Sequence, residues 1–373
     1  MLDKNPFRFG AVVEGSHYIK RPELEATLKK NLHDIQNVFI VGERRCGKTS
    51  LILKVLKEEY QGKFFHADLY GVDSNTELTH RFVRAFAHLQ TQFFSFEDTI
   101  KSLARFRVKA EVKSDGSGVE FLPTIDAKTS LLDLSAVLED LRGFSKKHRF
   151  AIFVDEFQEI QKLKDHKKIK GEMRSKIQLF QKAPFVYAGS LRHQMDFIFR
   201  SPDDPFYKSA VPIEFEKIPL ELFYAFVSKN LNQKKIKISK SIFSQIYTDL
   251  DGISGDIQQY FRFAFDKMEP GHEIDEAEKN NIYSQVLKSE EKFYLYIMND
   301  SGLTELQRKI LVAVAQTGGF EVTSHAFKET IQHSNNNAIV KSLKRLEGQN
   351  ILFKENKGYR FFNPFFKIWL CST

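Results

Sequence analysis

Up to about Leu220, short apolar runs alternate with longer segments in which apolar residues recur three and four positions apart. The apolar runs predict β-strands in NVFIVG, KFFHADLYG, RFAIFVDEFQEI, APFVYAGS and VPIEFEKIPL. Amphipathic segments such as KTSLILKVLKEEY and LLDLSAVLEDLRGFSKK predict the helices between them. Such alternation indicates a parallel sheet with helices on both faces. We therefore expect an α/β domain in this part of the chain.

Two segments depart from this alternation. The first, NPFRFGAVVEGSHYIK, predicts an extended arm before a helix that begins near Pro22. The second alternates apolar and polar residues from Phe106 to Val112 and then turns at Asp115-Gly116-Ser117-Gly118. This pattern predicts a β-hairpin inserted near residues 105–123.

After about Leu220 the pattern is mainly helical. The segments ELFYAFVSKNL, SKSIFSQIYTDL and DIQQYFRFAFDKM predict a small helical domain, and the polar EPGHEIDEAEKNN predicts a linker or loop. From Ser301 onward, three more amphipathic segments precede a hairpin that alternates around Lys357-Gly358, and Ser334 is the expected N-cap of the third helix. Three helices followed by a hairpin is the order of a winged helix.

Composition narrows the class of protein. A chain of 373 residues suits two or three domains, and a net charge of +8 slightly favours a polyanionic partner. Only Cys46 and Cys371 are present, which excludes a disulfide framework and a CxxC metal pair. The N-terminus does not have the pattern of a signal peptide, and no apolar run is long enough to cross a membrane. We therefore expect a cytoplasmic protein with no membrane partner.

The stretch VGERRCGKTS fits G-x-x-x-x-G-K-[ST] at every fixed position, between a predicted strand and a predicted helix. Glycines at both ends let the backbone turn and approach a phosphate, and the following helix offers its positive end. Lys48 can reach the β and γ phosphates, and the hydroxyl of Thr49 can bind Mg²⁺. The predicted nucleotide-binding residues are Gly42, Glu43, Arg44, Arg45, Cys46, Gly47, Lys48, Thr49 and Ser50.

Two acids follow another buried strand. Asp155 would hold Mg²⁺ and Glu156 would polarise the attacking water, which favours ATP hydrolysis over nucleotide binding alone. Ser190, at the end of the next strand, would lie between the γ-phosphate and that water. The predicted cofactors are therefore ATP and Mg²⁺, and the predicted catalytic residues include Lys48, Glu156 and Ser190.

Taken together, NPFRFGAVVEGSHYIKRPELE, VGERRCGKTSLI, FVDEFQEI and AGS resemble the archaeal-type ATPases, an AAA+ group close to the STAND and Orc/Cdc6 ATPases. The resemblance implies an α/β P-loop NTPase with an AAA+-like parallel sheet, a helical lid and a C-terminal winged-helix domain. The expected boundaries are 1–218 for the ATPase domain, 219–268 for the lid, 269–300 for a linker or helical connection and 301–373 for the winged helix. It also implies that an arm with Phe7, Phe9 and Val12 lies against the adenine, and that Arg21 contributes to nucleotide binding.

The chain departs from the resembled family at two places. Relatives often carry Gly-x-Pro in the lid, whereas this chain has Gly255 and then Ile257. Relatives also tend to carry an arginine before the strand that follows Ser190, where this chain has Lys208. Lysine lacks the planar fork of an arginine finger, so Lys208, Arg192 and Arg200 are all candidates for that role. Hydrolysis is expected to be slow if none of them acts.

The C-terminal section fits duplex DNA as a partner. From Ser301 onward there are ten Lys or Arg and five Asp or Glu residues, a net charge of +5. On the third helix the predicted contact residues are Asn336, Asn337, Lys341, Lys344 and Arg345. Winged helices of relatives also pack on their own ATPase domain or bind protein, and the ending FFNPFFKIWL is apolar enough to be buried.

Three functions remain open at this point. The first is a switch that binds ATP or ADP, hydrolyses ATP, and couples the nucleotide state to DNA, a protein partner or a homo-oligomer. The second is a winged-helix DNA-binding regulator whose nucleotide site no longer hydrolyses ATP. The third is a phosphotransferase, although Asp155 and Glu156 after an apolar strand suit water activation better.

Overall fold

The computed structural model describes residues 5–112, 119–128, 130–355 and 358–372. They form two compact units. The sheet unit is the continuous segment Lys20–Glu216. The helical unit combines the residues up to Ile19 with those from Lys217 onward.

The sheet unit confirms the α/β prediction. Its five-stranded parallel sheet has the order β2-β5-β6-β1-β7, from β1 (Val38–Val41), β2 (Phe64–Asp68), β5 (Ala151–Asp155), β6 (Phe185–Gly189) and β7 (Val211–Glu214). The helices are α1 (Pro22–His33), α2 (Lys48–Tyr60), α3 (Asn75–Gln90), α4 (Phe96–Ser102), α5 (Ser130–Ser145), α6 (His166–Ile177) and α7 (Arg192–Arg200). Val38 pairs with Val186 on one side and Val211 on the other, so the carboxyl ends of these strands share one edge.

The inserted hairpin is also present. Strands β3 (Lys109–Val112) and β4 (Val119–Leu122) pair antiparallel, and Phe121 is buried against His88 of α3. The predicted turn at 115–118 lies outside the described residues.

The helical unit begins with α8 (Leu220–Leu231), α9 (Lys240–Asp249) and α10 (Ser254–Lys267). Two corrections apply here. A short parallel pair, β8 (Lys237–Ile238) with β9 (Glu273–Ile274), interrupts the helices. The predicted linker also contains the start of a long helix, α11 (Glu276–Asn299), because Asp275 caps it by accepting a hydrogen bond from the backbone N–H of Glu278.

The last section consists of α12 (Glu305–Thr317), α13 (His325–Ile331), α14 (Asn336–Gly348), the antiparallel pair β10 (Leu352–Glu355) and β11 (Gly358–Phe361), and α15 (Pro364–Ser372). The N-cap of α14 is Asn335 instead of Ser334, because the Asn335 side chain accepts from the backbone N–H of Asn337 and Ala338. The apolar ending forms α15, whose Trp369 packs on Tyr294 of α11.

The arm is part of the helical unit. Asn5 donates a hydrogen bond to the carbonyl oxygen of Arg262 at 3.0 Å, and the ring of Phe7 lies between 5.7 and 6.2 Å from the rings of Phe226, Phe261 and Phe265. The sequence prediction grouped this arm with the ATPase domain. Its Phe7 is instead buried among the helices after Lys217, and the remaining predicted boundaries stay predictions.

Candidate functional site

The loop between β1 and α2 is closed by two glycines that no other residue could replace without a change in the backbone. Gly47 has a φ of 92° and is the N-cap of α2. A Cβ at Gly42 would lie 2.8 Å from both the Cβ and the carbonyl oxygen of Phe215. The loop thus brings backbone amides and a helix N-terminus to the carboxyl edge of the sheet.

Lys48 lies inside this loop. Its Nζ donates hydrogen bonds of 2.7 Å to the carbonyl oxygens of Gly42 and Glu43, and the residue is 6% exposed. Burial lowers the pKa of the Lys48 ammonium, while the negative charge of Glu156 acts in the opposite direction. The ammonium is therefore held by neutral carbonyls, which leaves its charge available to a phosphate.

Asp155, at the end of β5, is joined to the loop by Thr49. The hydroxyl of Thr49 donates to Oδ2 of Asp155 at 2.7 Å, and the backbone N–H of Glu156 donates to Oδ1 at 2.9 Å. Burial raises the pKa of Asp155 to about 6, the hydrogen bond from Thr49 lowers it, and the nearby Glu156 carboxylate raises it further. Burial deprives the ionised Asp155 carboxylate of water, and a bound cation would compensate for that loss.

These two oxygen donors fit Mg²⁺. Mg²⁺ binds through one or two protein oxygens together with phosphates and water, so it needs no dense cluster of ligands. Among residues 5–112, 119–128, 130–355 and 358–372, no group of three or more His, Cys, Asp or Glu side chains is placed to hold a metal. The Thr49 and Asp155 pair is accordingly the candidate for the metal predicted from the sequence.

Glu156 follows Asp155 in a left-handed conformation with φ 49°. Ser190 donates a 2.8 Å hydrogen bond to Oε2 of Glu156, and the Gln158 amide donates to the same oxygen. Arg44 of the loop donates to the Ser190 hydroxyl at 3.3 Å. The predicted base and the predicted polar residue are thus in direct contact.

Gln158 was missed from sequence, because nothing in FVDEFQEI shows that a short 3₁₀ turn directs it back to the strand ends.

Arg21 contacts the backbone of the phosphate loop. Its guanidinium donates to the carbonyl oxygens of Glu216 at 2.6 Å and Cys46 at 2.9 Å, and lies 4.1 Å from the centroid of the Phe215 ring. Arg21 and Cys46 are both buried, whereas Arg45 is exposed. The structure therefore places Arg21 where it fixes the backbone of the loop.

The three candidates for an arginine finger lie on or near α7. Arg192 and Arg200 both pair with the carboxylate of Glu214, at 2.5 and 3.4 Å, and Arg200 also pairs with Asp196 at 2.9 Å. Lys208 is exposed, with its ammonium 5.2 Å from the centroid of the Tyr207 ring. In this structure both arginines are neutralised by acids of their own chain.

Two predicted regions belong to the helical unit. Phe7 is fully buried, so its ring offers no surface to adenine in this conformation, whereas Phe9 and Val12 are exposed. The predicted nucleic-acid residues of α14 are all exposed, and they are Asn336, Asn337, Lys341, Lys344 and Arg345. Ile339, Leu343 and Leu346 point into the core. This division of α14 leaves one polar, basic face free.

Comparison with known proteins agrees with this architecture. Residues 294–372 match the model of a family described as "Probable winged helix domain". A Walker-type ATPase of Pyrococcus abyssi is similar over 98% of this chain and 99% of its own, at 16% identity and a TM-score of 0.63. Orc1 of Aeropyrum pernix, solved in complex with DNA, is similar over 96% and 94%, at 9% identity and a TM-score of 0.55. No curated protein sequence matches the chain.

The chain thus has the fold of a P-loop ATPase with a C-terminal winged helix. The fold that the resemblance implied is confirmed. No helix among the described residues is long and apolar enough to cross a membrane.

Proposed function

We propose that this protein is a Mg²⁺-dependent ATPase that acts as a nucleotide-driven switch and couples its nucleotide state to DNA or protein binding through the winged helix. The observation that carries the proposal is the contact between Thr49 and Asp155, 2.7 Å apart, beside the Glu156–Ser190 pair. A metal-binding pair, a base and a phosphate loop meet at one sheet edge, which is the arrangement that hydrolysis of a nucleoside triphosphate requires.

Each residue has a defined task in this proposal. Lys48 and the amides of the loop bind the phosphates, and Thr49 with Asp155 would hold Mg²⁺, which supplies charge neutralisation at the phosphates. Glu156 accepts the proton of the attacking water, and Ser190 orients its carboxylate. Arg21 holds the Cys46 carbonyl, so that the loop keeps its shape when empty.

Nucleotide binding is tested by calorimetry with ATP and with ADP in the presence of Mg²⁺. The wild type should bind both, and Lys48→Ala should bind neither measurably. Lys57→Ala, a change of the same kind at an exposed position near the other end of α2, is the matched control. Uptake that survives Lys48→Ala would contradict the proposed site.

Hydrolysis is tested by single-turnover assays. Glu156→Gln should keep ATP binding and lose about two to four orders of magnitude in rate, the usual contribution of a general base. Phosphate that appears on a second substrate instead of in solution would point to a phosphotransferase.

The second candidate is a winged-helix regulator that binds nucleotide without hydrolysing it. The pairing of Arg192 and Arg200 with Glu214 favours it, because no arginine of the described chain is then free on α7 to stabilise the transition state. The fully buried Ile257, where relatives carry proline, also favours it. Absence of hydrolysis by the wild type, with DNA affinity unaffected by nucleotide, would select this candidate.

The DNA part of the proposal depends on the exposed face of α14. Lys341→Ala with Lys344→Ala should weaken duplex binding and make the plot of log K against log salt shallower by about 1.8. The exposed lysines Lys235 and Lys237 lie on the same unit and serve as the charge-matched control. An unchanged slope would exclude α14 as the contact surface.

A further inference from the structure

A second concave site lies in the sheet unit, at the edge opposite to the phosphate loop. It is a cavity of about 530 Å³ with an apolar part formed by Leu32, Ile35 and Tyr60. Ile35 precedes β1, Tyr60 precedes β2 and Arg149 precedes β5, so the cavity lies at the amino ends of the parallel strands. A strand of five residues separates the two edges by about 17 Å.

The cavity is lined by basic side chains. They are His33, Lys146, Lys147, His148, Arg149 and Lys182. No carboxylate lines the cavity, and within the described residues none of the three lysines or the arginine pairs with an acid. The acids nearest in sequence are Asp34, which pairs with His33 at 3.6 Å, and Glu59, which precedes Tyr60.

The negative carboxyl ends of nearby helices offset part of this positive charge. Three helices end at the cavity: α1 at His33, α2 at Tyr60 and α5 at Ser145. Lys182 donates to the Lys146 carbonyl oxygen beyond the end of α5 at 3.4 Å. Each helix end carries about half a negative charge, so the four permanent cations exceed them by about two and a half charges. That excess gives the cavity a positive potential, which attracts anions from solution.

The side chains differ in how firmly they are held. The guanidinium of Arg149 lies 5.2 Å from the centroid of the Tyr60 ring, whose hydroxyl donates to the Leu32 carbonyl oxygen at 3.4 Å. Burial, together with the positive charges of Lys147 and Lys63, lowers the pKa of His148, which lies against the ring of Phe144. The charge at neutral pH therefore comes from the lysines and from Arg149.

We propose that this cavity binds the phosphate backbone of a nucleic acid, as a contact separate from the winged helix. Exposed lysines are mobile point charges that suit phosphates of any sequence, and a fixed arginine beside an aromatic ring suits a sugar-phosphate chain next to it. The net charge of +8 for the whole chain acts in the same direction at long range. The site thus adds sequence-independent affinity for nucleic acid to any contact that α14 makes.

The test uses the full chain without nucleotide and measures the anisotropy of a fluorescein-labelled DNA duplex over a range of salt concentrations. Lys146→Ala with Lys147→Ala should make the slope of log K against log salt shallower by about 1.8, since each phosphate contact contributes about 0.9. The control is Lys167→Ala with Lys168→Ala, an exposed neighbouring pair on α6 that does not line the cavity. The control should leave the slope unchanged.

Two results would overturn the proposal. One is an unchanged slope in the cavity variant, or an equal change in the control. The other is a cavity variant that loses binding of pyrophosphate while its duplex affinity is unchanged, which would assign the site to a small anion. Circular dichroism and ADP binding verify that the variants fold. Because no nucleotide is present in the DNA assay, failure of the proposed ATPase function would leave this result interpretable.

Discussion

Asp155→Asn should stabilise the sheet unit when neither nucleotide nor Mg²⁺ is present. The pKa of Asp155 is about 6 in the folded chain and 3.8 as its ordinary value. A raised pKa means that the fold is favoured by the protonated acid, and this contribution is lost as the pH rises through 6. A difference of about two between these pKa values corresponds to about 3 kcal/mol of unfolding free energy.

Asparagine can keep both hydrogen bonds of the aspartate. Its carbonyl oxygen can accept from the Glu156 backbone, and its amide can donate to the Thr49 hydroxyl, which rotates to accept. Asp155→Asn should therefore be up to about 3 kcal/mol more stable than the wild type above pH 6. The difference should shrink as the pH falls from 6 towards 3.8.

The assay must report on the sheet unit, and the single tryptophan, Trp369, lies in the helical unit. Hydrogen exchange of peptides from β5, followed by mass spectrometry in increasing urea at pH 5 and at pH 8, gives the local free energy of opening. Asp204→Asn is the matched control. That acid is buried but paired with Lys170, so its loss should destabilise the unit at both pH values.

When Mg²⁺ and ATP are present, the wild type should instead be more stable than Asp155→Asn, because a ligand stabilises only the chain that binds it. If Asp155→Asn is no more stable than the wild type at pH 8 without ligand, the assigned cost of ionising Asp155 is wrong.

Three further changes test other parts of the structure. Lys170→Met leaves the carboxylate of Asp204 buried without its partner and should lower the free energy of unfolding of the sheet unit by about 3–5 kcal/mol. The double variant Lys170→Met with Asp204→Asn should recover most of that loss, as measured by hydrogen exchange of α6 peptides. Phe7→Ala should destabilise the helical unit by about 3–5 kcal/mol in urea titrations followed by tryptophan fluorescence, and unchanged stability would show that the arm is dispensable. Arg21→Lys keeps the charge but loses the planar fork whose two terminal nitrogens each reach one carbonyl, so ADP affinity should fall about tenfold in calorimetry; equal affinity would exclude its role in shaping the loop.

The parallel sheet and the phosphate loop were predictable because each depends on local sequence. Apolar runs of four or five residues mark β1, β5 and β6, and the helix that follows the loop begins at Lys48, as its pattern indicates. Asp155 and Glu156 could be placed because they directly follow such a run. The pattern of three helices and a hairpin predicted the winged helix, whereas the role of the preceding helices as a lid came only from the resemblance to the archaeal-type ATPases.

The parts that were missed depend on contacts between residues distant in sequence. Gln158 reaches Ser190 because a 3₁₀ turn follows the strand, and no periodicity marks that turn. The burial of Phe7 depends on aromatic residues more than 200 positions away. The polar start of α11 resembles a loop in sequence, because capping by Asp275 and not apolar spacing begins that helix.

The connectivity of the helical unit has a consequence for its assembly during synthesis. Phe7 emerges from the ribosome early, but its neighbours Phe226, Phe261 and Phe265 emerge only after the whole sheet unit. The segment Lys20–Glu216 is continuous, so it can complete its own core before the amino-terminal arm has any partner to pack against. Nascent chains halted before α10 should therefore contain a protease-resistant sheet unit joined to a protease-sensitive amino-terminal segment.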